Sequence, residues 1–259
     1  MVKMNDLNVC TQIGCSVNCK FCPQDVIVEK YTGERRMSLA GFKSLIETVP
    51  AHVAIIFCGV SEPFLNPDCT CMILHAYKKG HPVQIYSTLT NLSMEDVKTI
   101  CDFPLERFVL HLPDSQENAK IPITAEYKEV LPYILTHVDN IQFVSMNGLF
   151  ESNHYEDMAR KNVERKYNGK IYCNLLDNPV YCLEPNGEVD MCCMARIFTG
   201  NIGSLYKESF QDILKRHEIV AERMATDPNS ACHYCAWAQP YLKGVLKNNI
   251  SKVYREVLG

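Results

Sequence analysis

Long apolar runs, runs of basic residues and an apolar signal segment are all missing from this 259-residue chain. Without about 20 consecutive apolar residues, a membrane-spanning helix is not expected. The sequence begins Met-Val-Lys-Met-Asn-Asp-Leu-Asn, which has no secretory h-region and therefore predicts a cytoplasmic protein. The net charge is −4, without the basic face expected of nucleic-acid binders. Membrane and nucleic-acid partners are therefore not expected.

Cysteine, by contrast, is abundant, with fourteen residues in the chain. A secreted protein would use them in disulfides, whereas a protein of a reducing compartment uses cysteines for metal binding or catalysis. Three of them form the pattern C-x3-C-x2-C at Cys15, Cys19 and Cys22. Iron–sulfur clusters are usually held by four thiolates, so three would leave one iron of a four-iron cluster open. A zinc site is the alternative, although zinc sites mostly combine two C-x2-C pairs.

This loop resembles the signature of the radical S-adenosylmethionine (SAM) enzymes. The resemblance implies that Cys15, Cys19 and Cys22 hold a [4Fe–4S] cluster whose open iron binds SAM. It also implies that a flavodoxin- or ferredoxin-type donor supplies the electron that cleaves SAM to a 5'-deoxyadenosyl radical. That radical would abstract a hydrogen atom from the substrate, and the enzyme would be sensitive to oxygen.

A second part of the resemblance lies in the segment 57–67, which is similar to the family's G-G-E-P element near the SAM amino group. Ser61 stands where the family has glycine. The resemblance also places Phe21 beside adenine and the polar residues at the end of the third strand near the SAM carboxylate or ribose. The implied SAM-binding residues are Phe21, Gly59, Ser61, Glu62, Pro63, Ser87 and Thr88.

The first part of the chain alternates strand-like and helix-like segments, which predicts βαβ units and an α/β fold with a parallel sheet. Strands are predicted at 7–11, 52–58, 83–87, 107–112 and 141–146. Helices are predicted after Ser38, at 70–79, after the capping box at 93–96, and at 124–137. Five or six units are too few for an eight-unit barrel, and the resemblance implies a partial (β/α)6 barrel over residues 1–150.

Residues 151–259 have a different pattern and are predicted to form a small hairpin-plus-helix domain. A charged helix is predicted at 151–166, and Asn186-Gly187 lies between strand-like runs at 180–184 and 188–192, a strong hairpin signal. A single helix is predicted at 207–225. The cysteines of this region could staple a domain that is too small to build its own core.

The same region resembles the SPASM, or shortened twitch, auxiliary-cluster domain of radical SAM enzymes. The resemblance implies that Cys173, Cys192, Cys232 and Cys235 bind one auxiliary [4Fe–4S] cluster. Cys193 could replace Cys192, because adjacent residues of a strand point to opposite faces. Cys182 is interpreted as a packing residue, and a four-cysteine zinc site is again the alternative.

The substrate is less well defined than the cofactors. The single-cluster pattern resembles the 2-deoxy-scyllo-inosamine dehydrogenase family, which implies a radical SAM oxidoreductase that oxidises a small sugar- or cyclitol-like alcohol and passes one electron to the auxiliary cluster. The alternatives are epimerisation, with Cys193 or Cys58 returning hydrogen, and modification of a ribosomally made peptide. A metal-binding scaffold without enzyme activity is the fourth possibility.

Candidate catalytic residues follow the fourth predicted strand in the run His111-Leu-Pro-Asp114, where either side chain could bind substrate or act as a base. Cys193 is a third candidate. Arg196 could hold a carboxylate or phosphate, but a solvent-exposed arginine is the default expectation. Tyr234 and Trp237 are expected to shield the auxiliary cluster.

Overall fold

The computed structural model describes residues 6–22, 24–145, 167–194, 196, 200–235 and 237–258. The helix predicted at 151–166 and Met146 lie outside them. In the part of the chain that is described, no helix has the length and apolar character required to cross a membrane.

Among the described residues, the core of the fold is a mixed sheet of eight strands, which lie side by side in the order 141–145, 107–112, 83–87, 55–57, 7–9, 181–183, 188–190 and 201–204. Neighbouring strands among the first five are parallel. These strands are β1 (Leu7–Val9), β2 (Ile55–Phe57), β3 (Val83–Ser87), β4 (Arg107–Leu112) and β5 (Ile141–Ser145). The predicted α/β class with a partial parallel barrel is confirmed.

Helices separate the strands, as the βαβ pattern predicts. They are α1 (Gln24–Lys30), α2 (Leu39–Leu45), α3 (Cys69–Lys78), α4 (Met94–Cys101) and α5 (Ala125–His137). Ser38, Ser93 and Thr124 accept hydrogen bonds from backbone N–H groups of the first turns of α2, α4 and α5. These bonds satisfy donors that the helix itself cannot pair. α1 was not predicted, because seven residues directly after the cysteine loop give little periodic signal.

The two faces of the sheet differ in chemistry. One face is apolar and packs against the helices; Phe57, for example, contacts Phe42 of α2 with ring centroids 5.7 Å apart. The opposite face, here called the inner face, is mainly polar. Because alternate strand residues share a face and the strands are in register, the inner face comprises Asn8, Cys10, Ile56, Cys58, Gln84, Tyr86, Arg107, Val109, His111, Gln142, Val144, Cys182, Glu184 and Asp190.

The C-terminal region extends the same sheet. Its strands are β6 (Ile171–Tyr172), β7 (Tyr181–Leu183), β8 (Glu188–Asp190), β9 (Asn201–Ser204) and β10 (Gln239–Pro240). β7 and β8 form the predicted hairpin around Asn186-Gly187, where Gly187 has the left-handed φ of +80°. β7 also pairs in parallel with β1, so this hairpin is part of the barrel sheet.

The helices of the C-terminal region are α6 (Asn174–Asp177), α7 (Phe210–Leu214), α8 (His217–Thr226) and α9 (Tyr241–Leu258). The prediction of one helix at 207–225 is wrong, because the chain forms α7 and α8 instead. Arg216 lies at their junction, where its guanidinium donates to Glu208 and to the Ile202 carbonyl.

Candidate cofactor and substrate sites

The C-x3-C-x2-C loop directly follows β1, at the carboxyl edge of the parallel sheet. Cys15, Cys19 and Cys22 are all partly exposed and lie near one another. Burial raises the pKa of Cys19 to about 11 and that of Cys22 to about 12. The backbone N–H of Lys20 donates to the Asn118 carbonyl at 2.8 Å, so the loop after β4 packs against the cysteine loop.

Two side chains join the cysteine loop to the segment 59–63. Gln24 donates from Nε2 to the Val60 carbonyl, and the same nitrogen lies 3.1 Å from the Cys22 sulfur. The Ser61 hydroxyl donates to the Gly14 carbonyl at 3.0 Å. The serine that stands in place of the family's glycine therefore anchors this segment to the cysteine loop.

Gly59 is the position in this segment that requires glycine. Its φ is +141°, in the region that L side chains rarely adopt. A Cβ there would lie about 3.0 Å from Nη1 of Arg196 and 3.1 Å from the Cys10 sulfur. Residue 61 does not require glycine, because Ser61 is not one of the described residues with a positive φ.

Glu62 is the centre of a buried hydrogen-bond network that joins the ends of β2 and β3. Its Oε1 accepts from the Ser87 hydroxyl at 2.7 Å, and its Oε2 accepts from both the N–H and the hydroxyl of Thr88 at 2.6 Å. The Phe64 N–H contributes a longer bond of 3.4 Å. Burial raises the pKa of Glu62, and these four hydrogen bonds oppose the rise. Three predicted SAM-binding residues therefore contact one another directly.

We expect Glu62→Gln to destabilise the protein by about 2–4 kcal/mol, because an amide nitrogen would face donors of Thr88 or Ser87 and leave buried groups unpaired. Anaerobic thermal and denaturant unfolding would measure the loss. Glu106→Gln is the matched control, since the exposed Glu106 accepts one bond from Gln84. Equal stability of the two variants would contradict a structural role for the Glu62 network.

The four cysteines predicted as auxiliary ligands line one apolar cavity. Cys173 follows β6 and Cys192 follows β8, whereas Cys232 lies within a short 3-10 helix at Ala231–Tyr234 and Cys235 directly follows it. The cavity is completed by Leu175, Leu176, Met194, Trp237 and Ala238. Trp237 therefore lies beside the predicted cluster position, although its side chain is otherwise exposed.

Cys193 does not line this cavity; its thiol interacts with Cys192 and with Arg196. Cys182 is fully buried in β7 and is also absent from the cavity lining. The default expectation of a solvent-exposed Arg196 is wrong. The residue is 1% exposed, because its guanidinium pairs with the buried Glu184, with Nε donating to Oε1 at 2.6 Å.

The two residues suggested as bases occupy different environments. His111 lies half-buried on the inner face, and burial lowers its pKa, which favours the neutral imidazole. Asp114 accepts backbone hydrogen bonds from Gln116, Asn118 and Ala119 at 2.7–3.1 Å. Its carboxylate therefore organises the loop that packs against the cysteine loop, whereas His111 lies on the inner face.

The donor chemistry of both cysteine groups fits iron–sulfur clusters, which are held by thiolates. None of the fourteen cysteines forms a disulfide. Within the described ranges, no three His, Cys, Asp or Glu side chains converge as ligands of a single metal ion.

Comparison with known proteins gives a family match in the C-terminal region. Residues 173–236 match SPASM, described as an iron–sulfur cluster-binding domain. The crystal structure of BtrN in complex with AdoMet and 2-DOIA superposes with a TM-score of 0.64 at 17% identity, covering 86% of this chain and 87% of BtrN. The chain has the radical SAM fold and carries a SPASM domain. The predicted fold and the predicted SPASM region are thereby confirmed.

Other radical SAM structures share the fold. Native anSMEcpe with bound AdoMet has a TM-score of 0.56 at 12% identity, covering 90% of this chain and 86% of that protein. SuiB of Streptococcus suis bound to S-adenosylmethionine has a TM-score of 0.53 at 11% identity, covering 90% and 70% of the two chains. The cysteine loop, the SPASM domain and this fold together support [4Fe–4S] clusters and SAM as the cofactors.

One curated relative is described as an enzyme that acts on RNA. The probable dual-specificity RNA methyltransferase RlmN of Streptococcus mutans is 24% identical over 295 residues, covering 96% of this chain and 70% of RlmN. The relatives therefore leave the substrate class of this chain open.

Sequence reasoning missed the Glu184–Arg196 pair. Glu184 continues β7 by one residue, as the bond from the Cys10 N–H to the Leu183 carbonyl shows. A signal was present, because alternation along β7 places Glu184 on the same face as Cys182. It could be used only once the pairing of β7 with β1 was known.

Proposed function

We propose that this radical SAM chain oxidises a small sugar- or cyclitol-like alcohol. The observation that carries the proposal is the position of His111 on the polar inner face. His111 lies on β4, and the loop after β4 packs against the cysteine loop. Oxidation of an alcohol removes a hydrogen atom from carbon and a proton from oxygen. A neutral imidazole on this face is suited to accept the proton.

The cofactor ligands assigned in this proposal are Cys15, Cys19 and Cys22 for the SAM-binding cluster and Cys173, Cys192, Cys232 and Cys235 for the auxiliary cluster. When bound, these groups supply SAM cleavage, a radical that takes hydrogen from carbon, and an acceptor for one electron. The protein fixes the segment 59–63 through Glu62 and Ser61. Phe21 and the segment 59–63 would hold SAM, and His111 would take the substrate's hydroxyl proton.

Further parts of the proposal concern partners and organisation. A flavodoxin- or ferredoxin-type protein would deliver electrons, and the cytoplasm would supply the reducing environment that suits fourteen cysteines outside disulfides. The net charge of −4 favours a small-molecule substrate over RNA. Residues 1–150 would form most of the catalytic barrel, and residues 151–259 would form the auxiliary part, whose hairpin extends the barrel sheet.

Anaerobic reconstitution with iron and sulfide tests the function. We expect about eight irons per chain from two four-iron clusters, formation of 5'-deoxyadenosine on reduction, and conversion of a cyclitol or sugar to a product two mass units lighter. Zinc in place of iron, or no SAM cleavage by a fully loaded protein, would instead favour a metal-binding scaffold.

Epimerisation is the second candidate, favoured by the buried thiols of Cys10 and Cys58 on the inner face. An epimerase would return a hydrogen atom from a thiol to the substrate carbon. In deuterated water it would therefore give a product of unchanged oxidation state carrying one deuterium. The oxidation proposed above gives a ketone without that label, so mass spectrometry separates the two reactions.

A further inference from the structure

The ion pair between Arg196 and Glu184 is only half formed. Nε of Arg196 donates to Oε1 of Glu184 at 2.6 Å, and both side chains are at least 98% buried. Among the described residues, neither Nη2 of Arg196 nor Oε2 of Glu184 has a hydrogen-bond partner, although both atoms are buried. Arginine usually closes such a pair with two parallel bonds, so one donor and one acceptor remain unused.

A second ion pair in the same region shows the closed arrangement. Arg216 donates from Nη1 and Nη2 to the two carboxylate oxygens of Glu208 at 2.7 and 2.6 Å. That pair is partly exposed, with 40% and 26% of its side chains accessible. The unused atoms therefore occur in the buried pair, where an unmade hydrogen bond costs most.

The position of the half-open pair is next to the segment that holds SAM in the proposed function. Nη1 of Arg196 lies about 3.0 Å from the place that a Cβ of Gly59 would occupy. Glu184 and Cys10 continue the neighbouring strands β7 and β1 on the inner face. Another unpaired acceptor within the described part of that face, Oδ1 of Asn8, lies one inward-facing position deeper on β1.

The chemistry of the two unused atoms selects a neutral group that both donates and accepts. A hydroxyl can accept from Nη2 and donate to Oε2 at the same time. A carboxylate would pair with Arg196 but be repelled by Glu184, and an ammonium group would be repelled by Arg196.

We propose that Arg196 and Glu184 form a subsite that binds a hydroxyl group of the substrate beside the SAM segment. The proposal rests on the proposed function for its substrate class and deepens it, since it names a hydroxyl recognised by one donor and one acceptor. The subsite requires both the barrel and the SPASM region, because Glu184 and Arg196 come from the latter while Gly59 and Cys10 come from the former.

The test is calorimetric binding to the reconstituted, SAM-loaded and unreduced enzyme, so that binding is measured without turnover. The neutral probes are myo-inositol, scyllo-inositol and glucose, and the carboxylate-bearing probe is quinate. We expect the wild type to bind at least one neutral probe more tightly than quinate. Glu184→Gln should weaken binding of that neutral probe about tenfold, the loss expected for one hydrogen bond to a charged group.

The same variant should bind quinate more tightly than the wild type does, because a negative charge has been removed. A merely structural role for the pair would weaken both probes together. Glu208→Gln is the matched control and should change neither affinity. Arg196→Lys should weaken the neutral probe as Glu184→Gln does, since lysine lacks the guanidinium fork.

Binding of quinate in preference to every neutral probe by the wild type would overturn the subsite, as would equal neutral-probe affinities in wild type and Glu184→Gln. This comparison in the wild type decides the matter even where a variant fails to fold. Failure to form 5'-deoxyadenosine on reduction would overturn the proposed function instead, and that assay is independent of the binding measurement.

Discussion

Changing Cys15, Cys19 and Cys22 together to alanine will reduce SAM cleavage to background while leaving the auxiliary cluster in place. The loop that carries them sits at the carboxyl edge of the sheet and is fixed by Gln24 and Lys20. With its thiolates removed, the loop has no ligand for iron. Iron content should therefore fall from about eight to about four per chain, and 5'-deoxyadenosine should no longer form on reduction.

The matched control for this triple variant is the pair Cys71→Ala and Cys101→Ala. Cys71 is exposed on α3 and Cys101 is half-buried at the end of α4, so both are remote from the two cysteine groups in sequence. The control should keep full iron content and activity. Continued reductive cleavage of SAM by the triple variant would contradict the assignment of the catalytic cluster to this loop.

Much of the barrel was predictable from local patterns alone. The strands β3 and β4 begin and end where the sequence predicts, and Ser93 forms the expected capping box. These features depend only on residues that are close together in the chain. A strand is indicated by its pattern of apolar residues, and a capping box by a side-chain oxygen three residues before the backbone N–H that it accepts from. The spacing of the cysteines likewise predicted that Cys173, Cys192, Cys232 and Cys235 lie together, and they line one cavity; their role as cluster ligands stays a prediction.

The substrate side was not predictable, because it depends on strand pairing between distant segments. β7 pairs with β1 although about 170 residues separate them, and this pairing places Glu184 beside Cys10. Arg196 illustrates the limit well: nothing in its sequence neighbourhood indicates a partner at Glu184 on the inner face, and charged residues are mostly exposed. The sequence similarly could not show that Asp114 is occupied by backbone donors.

The position of the hairpin also changes the interpretation of the C-terminal region. Since β7 is hydrogen-bonded to β1, the SPASM region does more than carry a second metal site. It also supplies β7 to the sheet beside β1, and its Arg196 lies against Gly59 of the barrel. Substitutions on the inner face are therefore expected to affect the barrel site, and substitutions in the cysteine-lined cavity are expected to affect the auxiliary site.

Cys192→Ala will abolish the auxiliary cluster, whereas Cys193→Ala will retain it. The thiol of Cys192 lines the same cavity as Cys173, Cys232 and Cys235, while Cys193 does not line it. Removing one of four ligands from an otherwise apolar cavity leaves an iron without a protein thiolate. We therefore expect about four irons per chain for Cys192→Ala and about eight for Cys193→Ala, measured after identical anaerobic reconstitution.

The two variants form a matched pair, since they differ by one position and remove the same thiol. Electron paramagnetic resonance of the reduced proteins adds a second readout, because the signal of the SAM-binding cluster should persist in both and the auxiliary signal only in Cys193→Ala. The opposite pattern would mean that Cys193 is the ligand and that this turn rearranges when iron binds. The result also concerns Arg196, because its guanidinium lies near Cys193. Retention of the auxiliary cluster in Cys193→Ala would mean that the cysteine beside this arginine is not a cluster ligand. Arg196 would then act at the inner face alone.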